Sequence, residues 1–305
     1  MKLSMLAGAF ALTFTTLTSA QDFTAGVPLG TVNEAGEPTP MSSNVKVYGS
    51  FRFAESCTFD PERNLILAMN AGVPQVMEEN DGYVSLINPD GSVHTAKWIG
   101  SSRDGLTLNQ PLGSAVRDGV LYVADTDTVR TFNLASGQPL ASHSVADAGA
   151  NGLNGIAVAA DGTIYASNTR DPQRVYRVSP DGAASVFIDG SPLILPNGVA
   201  VDNDGNVVVI NIGNNHVMTF NTDGELINTE YAAESGNDGI IVTEDGTQYV
   251  SSVRYGSISR IVPGGEAEVI AEGIPSAASI CYDSVQNQIV IPMNNNNALG
   301  FLPLD

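Results

Sequence analysis

Short apolar runs recur along this chain at a regular interval, separated by polar turns. The segments Glu55-Ser-Cys-Thr-Phe-Asp60, Leu112-Gly-Ser-Ala-Val-Arg117, Asn154-Gly-Ile-Ala-Val-Ala159, Asn197-Gly-Val-Ala-Val-Asp202, Asp238-Gly-Ile-Ile-Val-Thr243 and Ala278-Ser-Ile-Cys-Tyr-Asp283 share one design. Each reads as a short strand followed by a turn and a second strand, such as Leu121–Asp125, Ile164–Asn168 or Gln248–Ser252. Their first positions lie 57, 42, 43, 41 and 40 residues apart, and an insertion around Ala71 to Asp81 accounts for the long first interval. Asp-Gly pairs at 90–91, 118–119, 161–162, 181–182, 204–205, 223–224 and 245–246 supply hairpin chemistry, since both residues tolerate the positive φ of a two-residue turn. The apolar, β-branched residues between these turns favour hairpins over calcium-binding loops.

A unit of about 40–45 residues with four short strands is the period of a β-propeller blade. The expected fold is therefore all-β: a six-bladed β-propeller with four-stranded blades over residues 44–305. A β-sandwich is the alternative, but it leaves six near-equal repeats unexplained. The last unit has only three strands, at 278–283, 288–293 and about 298–303, so the ring needs an outer strand from elsewhere. Asn44-Val-Lys-Val-Tyr48 is the candidate, and closure removes two exposed sheet edges.

Two segments precede the repeats. Residues 1–20 read as a secretory signal peptide, with Lys2 before a short apolar run and Thr18-Ser19-Ala20 as the cleavage site. The run is too short to span a bilayer, and no later stretch is long enough. Gln21 to Ser43, rich in Gly, Pro and Thr, reads as a tail or wrapping segment. The expected location is exported, either periplasmic or extracellular. Cys57 and Cys281 are the only cysteines of a chain bound for an oxidising compartment. They fall in the first strands of blades one and six, which a closed ring makes neighbours. Their opposite parity is what a bridge across the seam requires, but both could point away from it. A disulfide and two buried free thiols both stay open.

Thirteen Lys and Arg against 33 Asp and Glu leave 305 residues with a formal charge of −20. Such a polyanion repels nucleic acid and anionic membranes, so neither nucleic-acid binding nor membrane insertion is expected. A small-molecule substrate is the expected partner, with oligomeric state open and a monomer compatible.

In a propeller the innermost strand of each blade starts beside the central channel, so the six first positions should converge there. They carry Glu55, Leu112, Asn154, Asn197, Asp238 and Ala278. Packing accounts for Leu112 and Ala278 but not for four oxygen-bearing side chains. Two carboxylates facing each other would raise each other's pKa unless a cation sat between them. An all-oxygen set suits Ca²⁺, with Mg²⁺ or Mn²⁺ in its place, and Zn²⁺ is less natural without His or Cys. The bland alternative makes each Asn-Gly a simple turn.

The series Glu55-Ser, Leu153-Asn154-Gly, Pro196-Asn197-Gly and Asn237-Asp238-Gly resembles the senescence-marker-protein/gluconolactonase family of six-bladed propellers, in its exported bacterial-type branch. The resemblance runs from about Val45 to Leu304. It implies one divalent cation at the channel mouth, with Glu55, Asn197 and Asp238 matching the ligands and Asn154 matching the substrate-side Asn beside them. The sugar-lactonase members carry an Arg two residues before that Asn, where this chain has Gly152, so a sugar acid lactone is not the expected substrate.

The resulting expectation is a divalent-metal-dependent hydrolase that opens a lactone or related cyclic ester with metal-activated water. The resemblance implies Asp238 as general base. The competing class is a non-catalytic ligand- or protein-binding propeller with a structural calcium ion. His94, His143 and His216 fall in or beside outer strands and read as surface or strand residues. No Gly-Xaa-Ser-Xaa-Gly elbow is present for a serine nucleophile. Trp98 and Tyr122, Tyr165, Tyr176 and Tyr249 read as packing, and Asn294 to Asn297 as a polar loop.

Overall fold

The computed structural model describes residues 29–73, 80–100 and 107–304. The leader at 1–20 and part of the insertion at 71–81 therefore lie outside the described residues. The rest forms six four-stranded antiparallel sheets arranged as a six-bladed β-propeller.

Each of the first five blades is a simple meander whose strands run in sequence from the axis outward. Blade 1 comprises Ala54–Asp60, Leu65–Asn70, Tyr83–Ile87 and Val93–Gly100. Blade 2 runs from Pro111 to Ser144, blade 3 from Leu153 to Asp189, blade 4 from Pro196 to Tyr231 and blade 5 from Asn237 to Ala271. Blade 6 has only three strands of its own, Cys281–Asp283, Gln288–Met293 and Ala298–Pro303. Its outer strand is Lys46–Gly49, antiparallel to Ala298–Phe301, which closes the ring as expected. The inner strand of blade 6 is shorter than the sequence implies. Ser279 leaves its own sheet to form an isolated parallel bridge with Ser56 of blade 1.

Composition follows distance from the axis. Second strands pack against neighbouring blades on both faces and are mostly apolar, with Gln248–Ser252 the polar exception. Val207–Asn211 is buried at every residue, and its Val-Val-Val-Ile run suits a strand covered on both sides. Each such side chain contributes roughly 1.5–3 kcal/mol on leaving water. Outer strands such as Leu226–Tyr231 are largely exposed. The core lies between blades: Leu67, Met69 and Ile99 of blade 1 pack with Leu121, Val123 and Phe132 of blade 2.

The Asp-Gly turns depart from expectation in one respect. Only at 118–119 do both residues take positive φ. At the others Gly alone is left-handed, and at several of them the Asp carboxylate accepts a backbone N–H two residues on, as Asp161 does from Thr163 at 2.9 Å.

The segment before the ring holds a short hairpin, Gly30–Val32 with Pro38–Pro40, laid against blade 5. Ser42 N donates to Glu272 O at 2.9 Å and Ser235 Oγ to Glu34 Oε1 at 3.0 Å.

Cys57 and Cys281 are bonded, with Cα atoms 5.4 Å apart. This resolves the open choice in favour of the bridge. It ties the inner strands of blades 1 and 6 across a sequence separation of 224 residues.

Candidate functional site

The first positions of the inner strands sit in β-bulges. In blade 3 the register passes from Leu153↔Asn168 to Ile156↔Ala166, so Asn154 and Gly155 together oppose the single residue Ser167. The same irregularity spans Leu112-Gly113, Asn197-Gly198 and Asp238-Gly239, and Glu55 is the extra residue between Ala54 and Ser56. A bulge frees its residue from the ladder and re-aims the side chain. The Asn-Gly pairs are therefore not hairpin turns.

The Gly that follows four of the six first positions exists because the next blade comes too close for a side chain, and Ser follows the other two. A Cβ on Gly113 would collide with the carbonyl of Asn154, one on Gly155 with that of Asn197, and one on Gly198 would lie 2.7 Å from that of Asp238. A Cβ on Gly239 would meet the backbone of Ser279 and Ile280. Ser279 N in turn donates to Glu55 O at 3.0 Å, and Ser56 Oγ donates to Leu112 O. These contacts form a closed circuit through the six blades and bring the six first positions into one ring. Serines opposite two bulges lock it: Ser167 Oγ reaches Asn197 O at 2.5 Å and Ser251 Oγ reaches Ala278 O at 2.6 Å.

A second polar set, not singled out from sequence, anchors the loops leading into the inner strands. Asn70, Asp125, Asn168 and Asn211 end their blades' second strands, and each is fully buried. Asn168 Oδ1 accepts from Asn151 N and Gly152 N, both at 3.0 Å, and Asn211 Oδ1 from Ile194 N at 3.0 Å. Their recurrence at the end of second strands was a readable signal.

Glu55, Asn154, Asn197 and Asp238 are 5, 8, 1 and 2% exposed. Asn197 Nδ2 donates to Asp238 Oδ2 at 3.3 Å, and Asn294 Nδ2 donates to Glu55 Oε2 at 2.8 Å. Asn154 Oδ1, Asn197 Oδ1 and Asp238 Oδ1 have no donor among the described residues. Burial pushes the Glu55 carboxyl up to about 7, against the lowering effect of the Asn294 hydrogen bond. Burial and then the charge of Glu55 raise Asp238 well above the usual carboxylate range. Asp125 shows what a satisfied buried carboxylate looks like in this fold. It accepts from Asn109 N and Gln110 N at 2.9 and 2.7 Å and pairs with Arg130 Nε at 2.5 Å. Among the described residues no Lys or Arg pairs with Glu55 or Asp238 in this way. Among the described residues no three of His, Cys, Asp and Glu gather to hold a metal, so a cation here needs the two amide oxygens. An oxygen-only set with three orphaned acceptors and two adjoining carboxylates fits a hard divalent ion.

Leu112 is half-buried, and Gly152 faces open space, with nothing within 4 Å of the position a Cβ would take. A separate cavity of about 640 Å³ lies at the far end of the channel, where the inner strands finish, lined by Thr58, Ser114, Arg117, Ala157, Ile241 and Ser284. None of the site residues lines it. His94 is exposed beside Thr95, and His216 packs edge-on against Tyr231 at 5.2 Å, so neither reaches the site. Tyr165, Tyr176 and Tyr249 are buried in the blade cores.

Fold and ring together define a six-bladed propeller with an acidic, amide-rich site where its inner strands begin. Residues 76–289, more than half of the chain, match the SMP-30/Gluconolactonase/LRE-like region, and the chain belongs to that family. The matched span contains Asn154, Asn197 and Asp238, while Glu55 precedes it. A gluconolactonase from Xanthomonas campestris superposes with a TM-score of 0.62 at 19% identity, over 92% of this chain and 95% of that one. A streptogramin B lyase superposes at 0.60 and 12% identity, over 86% and 98% of the two chains. Virginiamycin B lyase from Staphylococcus aureus does so at 0.60 and 14%, over 86% and 99%. These likenesses concern the fold. No curated protein sequence matches the chain significantly.

Proposed function

We propose that this protein is a divalent-metal-dependent hydrolase that opens a lactone or related cyclic ester. The observation that carries the reading is the ring of Glu55, Asn154, Asn197 and Asp238, with three side-chain oxygens lacking donors. Membership of a gluconolactonase-containing family supports the reaction class.

Glu55, Asn197 and Asp238 would hold the ion, Ca²⁺ first and Mg²⁺, Mn²⁺ or Zn²⁺ as alternatives, with Asn154 at its substrate side. Bound there, a divalent cation polarises a carbonyl and acidifies water. Asp238 acts as general base: its free Oδ1 takes a proton from the attacking water. Without a cation, burial and the Glu55 charge raise its proton affinity, and a bound cation would offset both and keep it ionised to act as base. Water oxygen bonds to the acyl carbon, the ring C–O bond breaks, and Asp238 returns the proton to the departing alkoxide. The product is an open hydroxy acid. Asn154, with its unpartnered Oδ1, orients the substrate. Gly152 supplies no guanidinium beside Asn154 to hydrogen-bond substrate hydroxyls, so lactones with few hydroxyl groups suit the site better than polyhydroxylated sugar acid lactones.

Export to the periplasm or the cell exterior fits both the leader-like residues 1–20 and the Cys57–Cys281 bond. A second reading, a binding propeller with a structural ion, draws support from the near-complete burial of Asn197 and Asp238. Proton release from neutral γ- and δ-lactones separates the two. Turnover that disappears on chelation and returns with Ca²⁺ is expected of the hydrolase. A chelated protein that keeps full lactone turnover, or one that shows none when loaded with any of Ca²⁺, Mg²⁺, Mn²⁺ and Zn²⁺, would overturn it.

A further inference from the structure

The turn Asn294–Asn297 joins the second and third strands of blade 6 and reaches across the seam of the ring to blade 1. Asn294 Nδ2 donates to Glu55 Oε2 at 2.8 Å, with Asn294 only 6% exposed. Its Oδ1 accepts Asn295 N at 2.6 Å, which fixes the amide so that the NH₂ group, not the oxygen, faces the carboxylate. Three residues on, Asn297 takes a left-handed conformation, φ 53°, which Asn tolerates well. Its Oδ1 accepts Phe53 N at 2.7 Å. Ser276 Oγ donates to Asn296 Oδ1 at 2.7 Å and holds the turn from behind. Glu55 is thus gripped three ways by blade 6: at its carboxylate by Asn294, at its carbonyl by Ser279 N, and through Phe53 by Asn297.

We infer that Asn294 is the positioning residue for Glu55, with Asn297 as its backbone support, so that a turn at the seam of the ring also sets cation affinity. This rests on Glu55 being a metal ligand. A neutral amide donor is the group such a task calls for. It occupies one lone pair of Oε2 and fixes the plane of the carboxylate while leaving its charge for a cation. A Lys there would neutralise that charge and compete with the ion, and an Asp would repel the Glu55 carboxylate. Asp238 Oδ2 also accepts an amide N–H, but from Asn197, itself a member of the set and at a longer 3.3 Å, whereas Glu55 is anchored at 2.8 Å by a residue outside the set. Partners that orient a ligand in this way change metal affinity by roughly 10–100-fold when removed.

The test compares wild type, Asn294→Leu and Asn297→Ala as full-length protein, by calorimetric Ca²⁺ titration and by Tb³⁺ luminescence decay in H₂O against D₂O. Leu keeps the size and removes the donor. Melting of the chelated proteins separates folding from affinity. The expected result for Asn294→Leu is a 10- to 100-fold weaker Ca²⁺ affinity and more water on bound Tb³⁺, from a protein that still melts cooperatively. Asn297→Ala should weaken binding in the same direction by less. If Asn294→Leu does not fold, Asn297→Ala alone decides. Wild-type Ca²⁺ binding matched within twofold by the folded variants would overturn the positioning role and leave the metal site standing. Wild type that binds neither Ca²⁺ nor Tb³⁺ would remove both.

Discussion

Asn197 and Asp238, 41 residues apart and on neighbouring blades, meet through a 3.3 Å hydrogen bond from Nδ2 to Oδ2, which leaves one acceptor oxygen free on each side chain. Asp238 is the only group of the set placed both to accept a proton and to face Glu55. Replacing it with Asn keeps its size and removes its charge. Asp238→Asn is expected to lower lactone turnover by at least about 100-fold, the lower range for a positioned general base. The same change should raise the melting temperature of the chelated protein at pH 8, since it removes a buried acid whose proton affinity burial and the Glu55 charge raise above that of the unfolded chain. Initial rates and melting curves of the two proteins check both outcomes. Unaltered turnover would remove Asp238 from the mechanism.

Glu55 gives the metal-free protein a defined pH dependence. Its folded-state pKa of about 7 lies above the ordinary 4.5, so the folded state holds a proton that the unfolded chain releases between those values. Stability from this proton is present below about pH 4.5 and is lost as pH rises to 7, on the order of 3 kcal/mol in all. Urea unfolding of chelated protein at pH 5, 6, 7 and 8 should show this decline, and Glu55→Gln should make it shallower, leaving the part that the buried Asp238 contributes. By the same linkage Ca²⁺ stabilises more at pH 8 than at pH 5. Parallel pH profiles for wild type and Glu55→Gln would contradict the assignment.

The ring was legible in the sequence because its cause is local and repeated. Each first position is followed at once by the Gly or small residue that the next blade's approach demands, so period and site appear in one motif. The missing outer strand of blade 6 was legible by counting. The parity of Cys57 and Cys281 narrowed their geometry to two choices without deciding which way the side chains face. Asn294 was not legible as part of the site. Its partner is Glu55, 239 residues away, and the contact exists only because the ring closes between them. Asn168 and Asn211 were visible as polar residues ending apolar strands, but only the backbone N–H groups they cap explain them.

The Cys57–Cys281 bond joins the two ends of the ring and closes a loop of 224 residues in the unfolded chain. The chain-entropy treatment gives such a loop roughly 5 kcal/mol of stabilisation. The double variant Cys57→Ser with Cys281→Ser is expected to lose a comparable amount. The loss should concentrate at the seam, so hydrogen exchange at Cys57 N and Ser279 N, both bonded across it, should rise more than exchange within blade 3. Chemical denaturation with and without reductant measures the total. Equal midpoints would mean that blade packing alone holds the ring closed.

Two glycines three residues apart separate close approach from mere flexibility. Gly155 packs against the carbonyl of Asn197 and the Cα of Gly198, so an added methyl has no space without parting blades 3 and 4. Gly152 has nothing within 4 Å of its Cβ position and no positive φ. Gly155→Ala should therefore cost about 1–3 kcal/mol by overpacking and, by moving Asn154 and Asn197 apart, weaken Ca²⁺ binding. Gly152→Ala should be neutral to slightly stabilising, since it restricts the unfolded chain without strain. Urea midpoints and Ca²⁺ titrations of the two variants measure these effects. If the two alanines behave alike, the spacing of the blades is not what the first-position glycines protect, and the site's geometry would have to be set by the serines opposite the bulges instead.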